Sequence, residues 1–281
     1  MDLSHIKDAK RSLALSGVVE RIDIINKNIW VDCPQCSRVE RVVKNMLNAR
    51  GLSPAPCLLV CGEGGAGKTS IINRISSRHG AADGTVVFAS LAENPDELRF
   101  RELLLMALGV PLKAQGSGAK LPNGLVKHLQ LRKIFAVIID EFHDALLAQV
   151  SEQRKNLSLL KKLSEPPYHL SIMGFGTTSA VNALNQDTQL ERRFEVLKLL
   201  PWVEGDEFRS FLASIEENLP LRKASKLYSQ ETVKYLLTNT NGTMDQVLKV
   251  IRFAAIHAIK NGEEKITMES MQEGAVRRWD Y

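Results

Sequence analysis

The chain has 281 residues, 44% of them hydrophobic and 25% charged, with 37 Lys and Arg against 32 Asp and Glu for a formal net charge of +5. These fractions are those of an ordinary soluble globular protein, and the length suits one large domain or a core with a smaller one. No run approaches the roughly 20 apolar residues of a membrane span. Met1-Asp2-Leu3-Ser4-His5 lacks the basic and then apolar start of a signal peptide, so a cytoplasmic location is expected. The mild positive charge permits a nucleic-acid partner without demanding one.

In chain order, residues 1–50 read as helical segments around a break at Trp30-Val31-Asp32-Cys33-Pro34. Ser37 and Glu40 have the spacing of a capping box that opens an amphipathic helix through Met46 and Leu47. Gly51-Leu52-Ser53-Pro54-Ala55-Pro56 ends it. The apolar run Cys57–Cys61 reads as a buried strand, and the chain then enters Gly62-Glu63-Gly64-Gly65-Ala66-Gly67-Lys68-Thr69-Ser70, with Ile71, Ile72 and Ile75 at helical spacing behind it. Strand, glycine-rich loop and helix form the context in which a P-loop match carries a mechanism. The glycines let backbone N–H groups converge on phosphate oxygens, and the helix N-terminus adds its positive dipole end. Lys68 reaches the β- and γ-phosphates, and the Thr69 hydroxyl ligates Mg²⁺.

The four cysteines are Cys33, Cys36, Cys57 and Cys61. The first two have a zinc-like spacing, but the second pair lies four residues apart on the P-loop strand, too far along it for one tetrahedral ion. Reduced, unpaired thiols are expected.

Asp83-Gly84 is a turn and Thr85–Ala89 a second strand. Asn94-Pro95-Asp96-Glu97 starts a helix with Leu98, Leu103, Leu104, Leu105 and Leu108, and a loop containing Gly116 and Gly118 runs from Pro111 to Pro122. A short helix through Leu125 and Leu129 precedes Ile134–Ile139, apolar on both faces as a central parallel strand should be. That strand is expected beside the P-loop strand. It ends in Asp140, placed to hold Mg²⁺, and Glu141, placed to orient and deprotonate the attacking water. A long helix is expected from Asp144 to about Leu163, stopped by Pro166-Pro167. Leu170–Phe175 is a fourth strand, and Thr177 or Thr178 at its end can touch the γ-phosphate or its water, with Thr177 favoured. A helix, Glu191-Arg192-Arg193-Phe194, and a fifth strand Val196–Leu200 follow. Alternating strands and helices argue a parallel sheet with its ligand at the carboxyl edge. From Pro201 the pattern is wholly helical, with Thr243 and Thr267 opening its last two helices. The expected division is 1–50, an N-terminal helical extension; 51–200, an α/β nucleotide-binding core with a five-stranded parallel sheet; and 201–281, a small helical lid.

The spacing from Lys68 to Asp140-Glu141, the later Thr177, the Arg pair before the fifth strand and the helical lid together resemble the AAA+ ATPases. No Asn-Lys-x-Asp guanine signature is present; Asn26-Lys27-Asn28-Ile29 lacks the aspartate. The AAA+ resemblance implies an arginine finger before the fifth strand that projects into a neighbouring subunit's nucleotide, with Arg193 the better match and Arg192 the reserve. The finer resemblance is to the transposition ATPases of the TniB/TnsC group, with the MuB target-selection protein more distant. It is carried by Trp30-Val31-Asp32 with Pro34, the P-loop, Ile138-Ile139-Asp140-Glu141-Phe142-His143, Gly174-Phe175-Gly176-Thr177 and Asp187-x-x-Leu190-x-x-Arg193-Phe194. Its most specific parts are Leu199-x-x-Trp202 and Glu217-Asn218-Leu219-Pro220-Leu221-Arg222-x-x-Ser225-x-Leu227. One departure stands out. Gly242-Thr243-Met244-Asp245 occupies the start of the lid helix, where many AAA+ proteins carry a second-sensor arginine.

This resemblance implies a regulator of DNA transposition that binds ATP and Mg²⁺, assembles as a ring or helical homo-oligomer on double-stranded DNA, recruits the transposase, and disassembles on hydrolysis. A target-selecting adaptor is a further implied partner, and a membrane is not. DNA contacts should go to the backbone, since a target selector accepts many sequences. The candidates are Arg99, Arg101, Lys113, Lys120 and Lys127. Two competing readings are a helicase-loader or replication-initiator-like AAA+ ATPase and a nucleotide-gated interaction module with negligible turnover.

Overall fold

The computed structural model describes residues 2–27, 30–79, 85–94, 98–114 and 120–276. Asn28-Ile29, the turn at Asp83-Gly84, the Pro95-Asp96-Glu97 helix start, Gly116, Gly118 and the C-terminal Arg277-Arg278-Trp279 lie outside the described residues. The chain divides into two compact units, Met1–Pro34 with Pro201–Tyr281, and Gln35–Leu200. This division differs from the expected one: residues 35–50 join the α/β unit, and the N-terminal segment joins the lid.

In the unit formed by the two chain ends, α1 (Arg11–Ala14) and α2 (Val18–Asn26) come first in the chain. In the α/β unit, α3 (Pro34–Asn48) leads to β1 (Cys57–Cys61), α4 (Lys68–His79), β2 (Val86–Ser90), α5 (Phe100–Ala107) and α6 (Leu125–Leu131). Then follow β3 (Ala136–Asp140), α7 (His143–Leu146), α8 (Val150–Ser164), β4 (Ser171–Gly176), α9 (Ser179–Leu184), α10 (Thr188–Glu191) and β5 (Phe194–Lys198). The five strands form one parallel sheet in the order β2-β3-β4-β1-β5.

That order corrects one expectation. The acidic strand β3 is not beside the P-loop strand, because β4 lies between them. The apolar runs sit where both faces are covered: β1 and β4 are buried throughout and β3 up to Asp140. Alternate side chains point to opposite faces. Cys57, Leu59, Cys61, Val137, Ile139 and Ile172 pack with the apolar sides of α5, α6 and α8, while α4 packs against β3 and β4.

Two further expectations change. α3 starts at Pro34, whose fixed φ and missing N–H suit a first helical turn, so Ser37 lies inside the helix and is no cap. Glu40 instead meets Arg74 Nε at 2.6 Å and Arg78 Nη1 at 2.5 Å, tying α3 to α4. The single long helix after Asp140 is two, α7 and α8, with Gln149 in an extended conformation as the cap of the second. Gln153 and Asn156 of α8 donate to the carbonyls of Leu146 and Ala145, so buried amides hold the corner.

In the other unit, α11 (Asp206–Glu216), α12 (Gln230–Thr240), α13 (Met244–Lys260) and α14 (Met268–Val276) form the lid. Thr243 takes the cap position of α13 without a side-chain cap bond, whereas Thr267 Oγ1 accepts the Ser270 N–H at 3.1 Å and caps α14. The unexpected element of this unit is the N-terminal segment. Arg21 is 1% exposed and donates to Glu264 at 2.6 and 2.8 Å and to the Pro220 carbonyl at 3.2 Å. His5 meets the Leu221 carbonyl at 3.0 Å, Lys7 N–H donates to Glu217 O, and Arg222 Nε donates to Ala14 O. The Glu217–Arg222 stretch is therefore the seat on which residues 5–21 are held. Gly242 has φ 67°, and a Cβ there would lie 2.1 Å from the Trp202 carbonyl oxygen. Backbone contact with Trp202 thus demands glycine two residues before α13. Among the described residues no helix is long and apolar enough to cross a membrane.

Candidate functional site

The site is built at the carboxyl ends of β1, β3 and β4. Gly65 and Gly67 have φ of 78° and 90°, conformations that a side chain resists, so the loop between β1 and α4 can curl tightly only with glycine there. Gly62 lies so close to the Leu199 backbone that a Cβ would meet its carbonyl oxygen at 3.0 Å. The Gly62 N–H donates to the Gly176 carbonyl, locking the loop to the end of β4. Lys68 begins α4, is buried, and donates through Nζ to the carbonyls of Gly62 at 2.8 Å and Glu63 at 3.1 Å. The ammonium group is thus held inside the curve of the loop. Glu63, Gly64 and Gly65 are exposed at its rim, Ala66 and Gly67 are half-buried, and Thr69 and Ser70 are exposed in the first turn of α4.

The Thr69 hydroxyl donates to Asp140 Oδ2 at 3.0 Å. Although β4 separates the two strands, the first turn of α4 reaches across it. A hydroxyl and a carboxylate brought together at a helix N-terminus beside a buried lysine are the donor set that could hold Mg²⁺ with a nucleotide's phosphates. Asp140 Oδ1 also accepts the Glu141 N–H at 2.9 Å. Glu141 has φ 52°, a left-handed conformation uncommon outside glycine, and its carboxylate is about one-third exposed.

The two threonines divide their contacts. Thr177 Oγ1 lies 2.6 Å from Ser179 Oγ, whereas Thr178 Oγ1 donates to Glu63 Oε1 at 2.9 Å. Thr178, not the favoured Thr177, touches the P-loop. Sequence reasoning also passed over His143, which sits 3.1 Å from Glu141; its place directly after Asp140-Glu141-Phe142 was the available signal.

Arg193 turns inward. It donates to Glu165 Oε1, to Ser164 Oγ at 3.0 Å and to the Lys161 carbonyl at 3.3 Å, with its side chain 13% exposed. Asp187 caps α10 by accepting the Gln189 and Leu190 N–H groups and pairs with Lys161 at 2.8 Å. Burial works against the Asp187 carboxylate, but these bonds hold its pKa below the ordinary value. The Asp187-x-x-Leu190-x-x-Arg193 pattern thus docks the entry of β5 onto the end of α8. Arg192 beside it is exposed and makes no side-chain hydrogen bond or ion pair among the described residues.

All four cysteines are buried free thiols. Burial pushes the Cys57 thiol up to about 11 and raises that of Cys61, so both stay protonated and inert near neutral pH. Of the basic residues after β2, Arg99, Lys113, Lys120 and Lys127 are exposed. Arg101 is half-buried and donates to the Lys120 carbonyl at 2.9 Å.

The family described as bacterial TniB protein matches residues 21–204. The chain belongs to the TniB family. No match was found among curated proteins. Among solved structures, this TniB-family chain is similar to the ORC1 protein of Aeropyrum pernix in complex with DNA, at 16% identity and a TM-score of 0.61 over 92% of this chain and 69% of that one. It is also similar to the A. pernix ORC2 protein in ADPNP–ADP complexes (16%, 0.60, 91% and 71%) and to the Walker-type ATPase paby2304 of Pyrococcus abyssi (14%, 0.55, 90% and 76%). At these identities the likeness carries the fold, a P-loop AAA+ core with a helical lid.

Proposed function

We propose that this TniB-family chain is an ATP-dependent regulator of DNA transposition. It assembles with itself on double-stranded target DNA when ATP is bound, recruits or activates a transposase, with or without a target-selecting adaptor, and disassembles after hydrolysis in the cytoplasm. The observation that carries this is the family match over the unit that also joins Lys68, Thr69, Asp140 and Glu141.

Bound Mg²⁺ supplies charge neutralisation on the phosphates. The chain's residues do the remainder. The loop N–H groups beyond Gly62, whose own N–H is held by the Gly176 carbonyl, together with the Lys68 ammonium, bind and orient phosphates, and Thr69 and Asp140 would hold the metal. Glu141 takes the proton of the attacking water, and Thr178, with Thr177 behind it, presents a hydroxyl at the loop's mouth. Arg192 is the residue offered to a neighbouring subunit, because Arg193 is engaged within its own chain. If hydrolysis needs that neighbour, ATP favours the assembled state and its loss removes the bias. Arg99, Lys113, Lys120 and Lys127 are the backbone contacts to DNA, and Arg101 supports Lys120.

The test is negative-stain microscopy and ATPase assay with random-sequence duplex. Rings or filaments with ATP are expected, with DNA-stimulated turnover and affinity falling steeply with salt. Glu141→Gln should stabilise the assemblies. Failure to bind duplex DNA with any nucleotide overturns the proposal.

A further inference from the structure

We propose, on the reading of Glu141 as the general base, that His143 is the positioning residue for its carboxylate. It governs the rate of hydrolysis without contributing to nucleotide binding.

The turn after β3 is fixed residue by residue. Glu141 sits in the left-handed region at φ 52°, which costs a non-glycine residue roughly 1 kcal/mol or more and persists only where the surroundings over-determine it. Phe142 supplies the first anchor. Its N–H donates to the Phe175 carbonyl at 2.8 Å. Its ring is fully buried between Phe100 and Phe194, at centroid distances of 6.4 and 6.2 Å. The ring lies on Gly174 so closely that a Cβ there would be 2.0 Å from Phe142 Cδ1.

His143 supplies the second anchor, on the next glycine of the same strand. A Cβ on Gly176 would meet His143 N at 3.0 Å, Cβ at 3.4 Å and Nδ1 at 3.5 Å. Two glycines of β4 are thus the seats of two successive side chains of the turn. In this seat the imidazole is 20% exposed and its Nδ1 lies 3.1 Å from Glu141 Oε2. Nδ1 is buried and has no aligned hydrogen-bond partner among the described residues; the Glu141 carboxylate lies within its reach, and rotation of that carboxylate would complete the bond. Nε2 lies 3.6 Å from Asp144 Oδ1 on the outer side of the ring.

The consequence is kinetic. A glutamate carboxylate free about its three side-chain torsions spends a small part of its time aimed at any one point, and a donor on a rigid seat removes that search before the reaction begins. Among the described residues His143 makes no hydrogen bond or ion pair with Lys68, Thr69 or Asp140, so binding should not depend on it.

The experiment compares His143→Ala, His143→Asn and Glu141→Gln in the full chain with duplex DNA, measuring kcat, KM, nucleotide affinity and Tm. For His143→Ala, kcat should fall about tenfold or more while KM and nucleotide affinity stay within about twofold. Asn places an amide donor where Nδ1 was, and His143→Asn should restore most of kcat. An unchanged kcat in His143→Ala overturns the proposal. So does an equal loss in both variants with a lowered Tm, which would mark a packing role. If Glu141→Gln hydrolyses ATP like the parent, the base assignment itself falls. That result differs from one in which Glu141→Gln is inactive and the His143 variants are normal.

Discussion

Thr69 and Asp140 meet across an intervening strand: the hydroxyl at the start of α4 donates to the carboxylate at the end of β3, 3.0 Å away, though β4 separates β3 from β1. The pairing marks where a hard divalent ion would take oxygen ligands. In Asp140→Asn, Mg²⁺-dependent tightening of ATP binding should disappear, while binding in excess EDTA stays near that of the parent. Fluorescent-nucleotide titration with and without Mg²⁺ checks this. Equal Mg²⁺ enhancement in parent and variant would remove Asp140 from the metal site.

Gly174 offers a test of the scaffold rather than of the chemistry. Its added methyl group would overlap the Phe142 ring, whose neighbours Phe100 and Phe194 leave it nowhere to go. Gly174→Ala should destabilise the α/β unit by about 3 kcal/mol or more, the upper range for overpacking. Chemical denaturation reads this directly, and a change under about 0.5 kcal/mol, the size of an ordinary surface substitution, would show that the turn can move aside.

The P-loop, the strands and the acidic pair were legible because each is a local pattern. Five apolar residues in β1 must be covered on both faces, and a glycine-rich loop between such a strand and a helix has few other uses. Strand ends shifted by one or two residues without moving Asp140 or Lys68. What linear order does not encode is which strands become neighbours, and β4's insertion beside β1 was misplaced for that reason. The same holds for contacts between distant stretches. Arg21 and Glu264 are 243 positions apart, and the Glu217–Arg222 motif showed its role only once residues 5–21 were seen lying on it. The inward turn of Arg193 was not legible either, because side-chain direction at the entry of an edge strand depends on what lies beneath, here the last turn of α8.

The Arg21–Glu264 pair makes a pH prediction for the unit formed by the two chain ends. Burial alone raises the Glu264 pKa, but the Arg21 hydrogen bonds and charge, helped by Arg222, more than offset it and hold the carboxyl below its ordinary value near 4.5. With the folded pKa depressed, the stabilisation is fully present above the unfolded value and is lost as pH falls through the folded one. Arg21→Met removes both close hydrogen bonds to Glu264 and leaves it the more distant Arg222, 3.8 Å away, and should cost up to about 3 kcal/mol at pH 7. Without Arg21, burial raises the variant's Glu264 pKa, so the gap between parent and variant should narrow as pH falls from that raised value to the parent's depressed one, below which the carboxyl is neutral in both. A gap independent of pH would assign the loss to packing of the arginine stem.

Arg192 and Arg193 are adjacent yet should fail in different ways. Arg193 is nearly enclosed and holds Glu165, Ser164 and the Lys161 carbonyl, so Arg193→Ala removes charge-assisted hydrogen bonds worth about 2 kcal/mol. For a chain of this size that lowers Tm by several degrees. Arg192 is exposed and makes no side-chain hydrogen bond or ion pair among the described residues, so Arg192→Ala should leave Tm unchanged. If Arg192 completes a neighbour's nucleotide site, its loss should cut assembly-stimulated hydrolysis by about 10³-fold, the effect of removing an arginine finger. Mixing decides between a residue acting in its own site and one acting in the next. Arg192→Ala supplies an intact Walker site without a finger, and Glu141→Gln supplies a finger beside a dead site. If the finger acts across the interface, the two inactive proteins together should recover hydrolysis, because some mixed interfaces place Arg192 of one subunit against Glu141 of another. Recovery that rises and then falls as the mixing ratio is varied fits action between subunits. Absence of recovery, with mixed assemblies visible, would return the search to a residue outside the Arg pair.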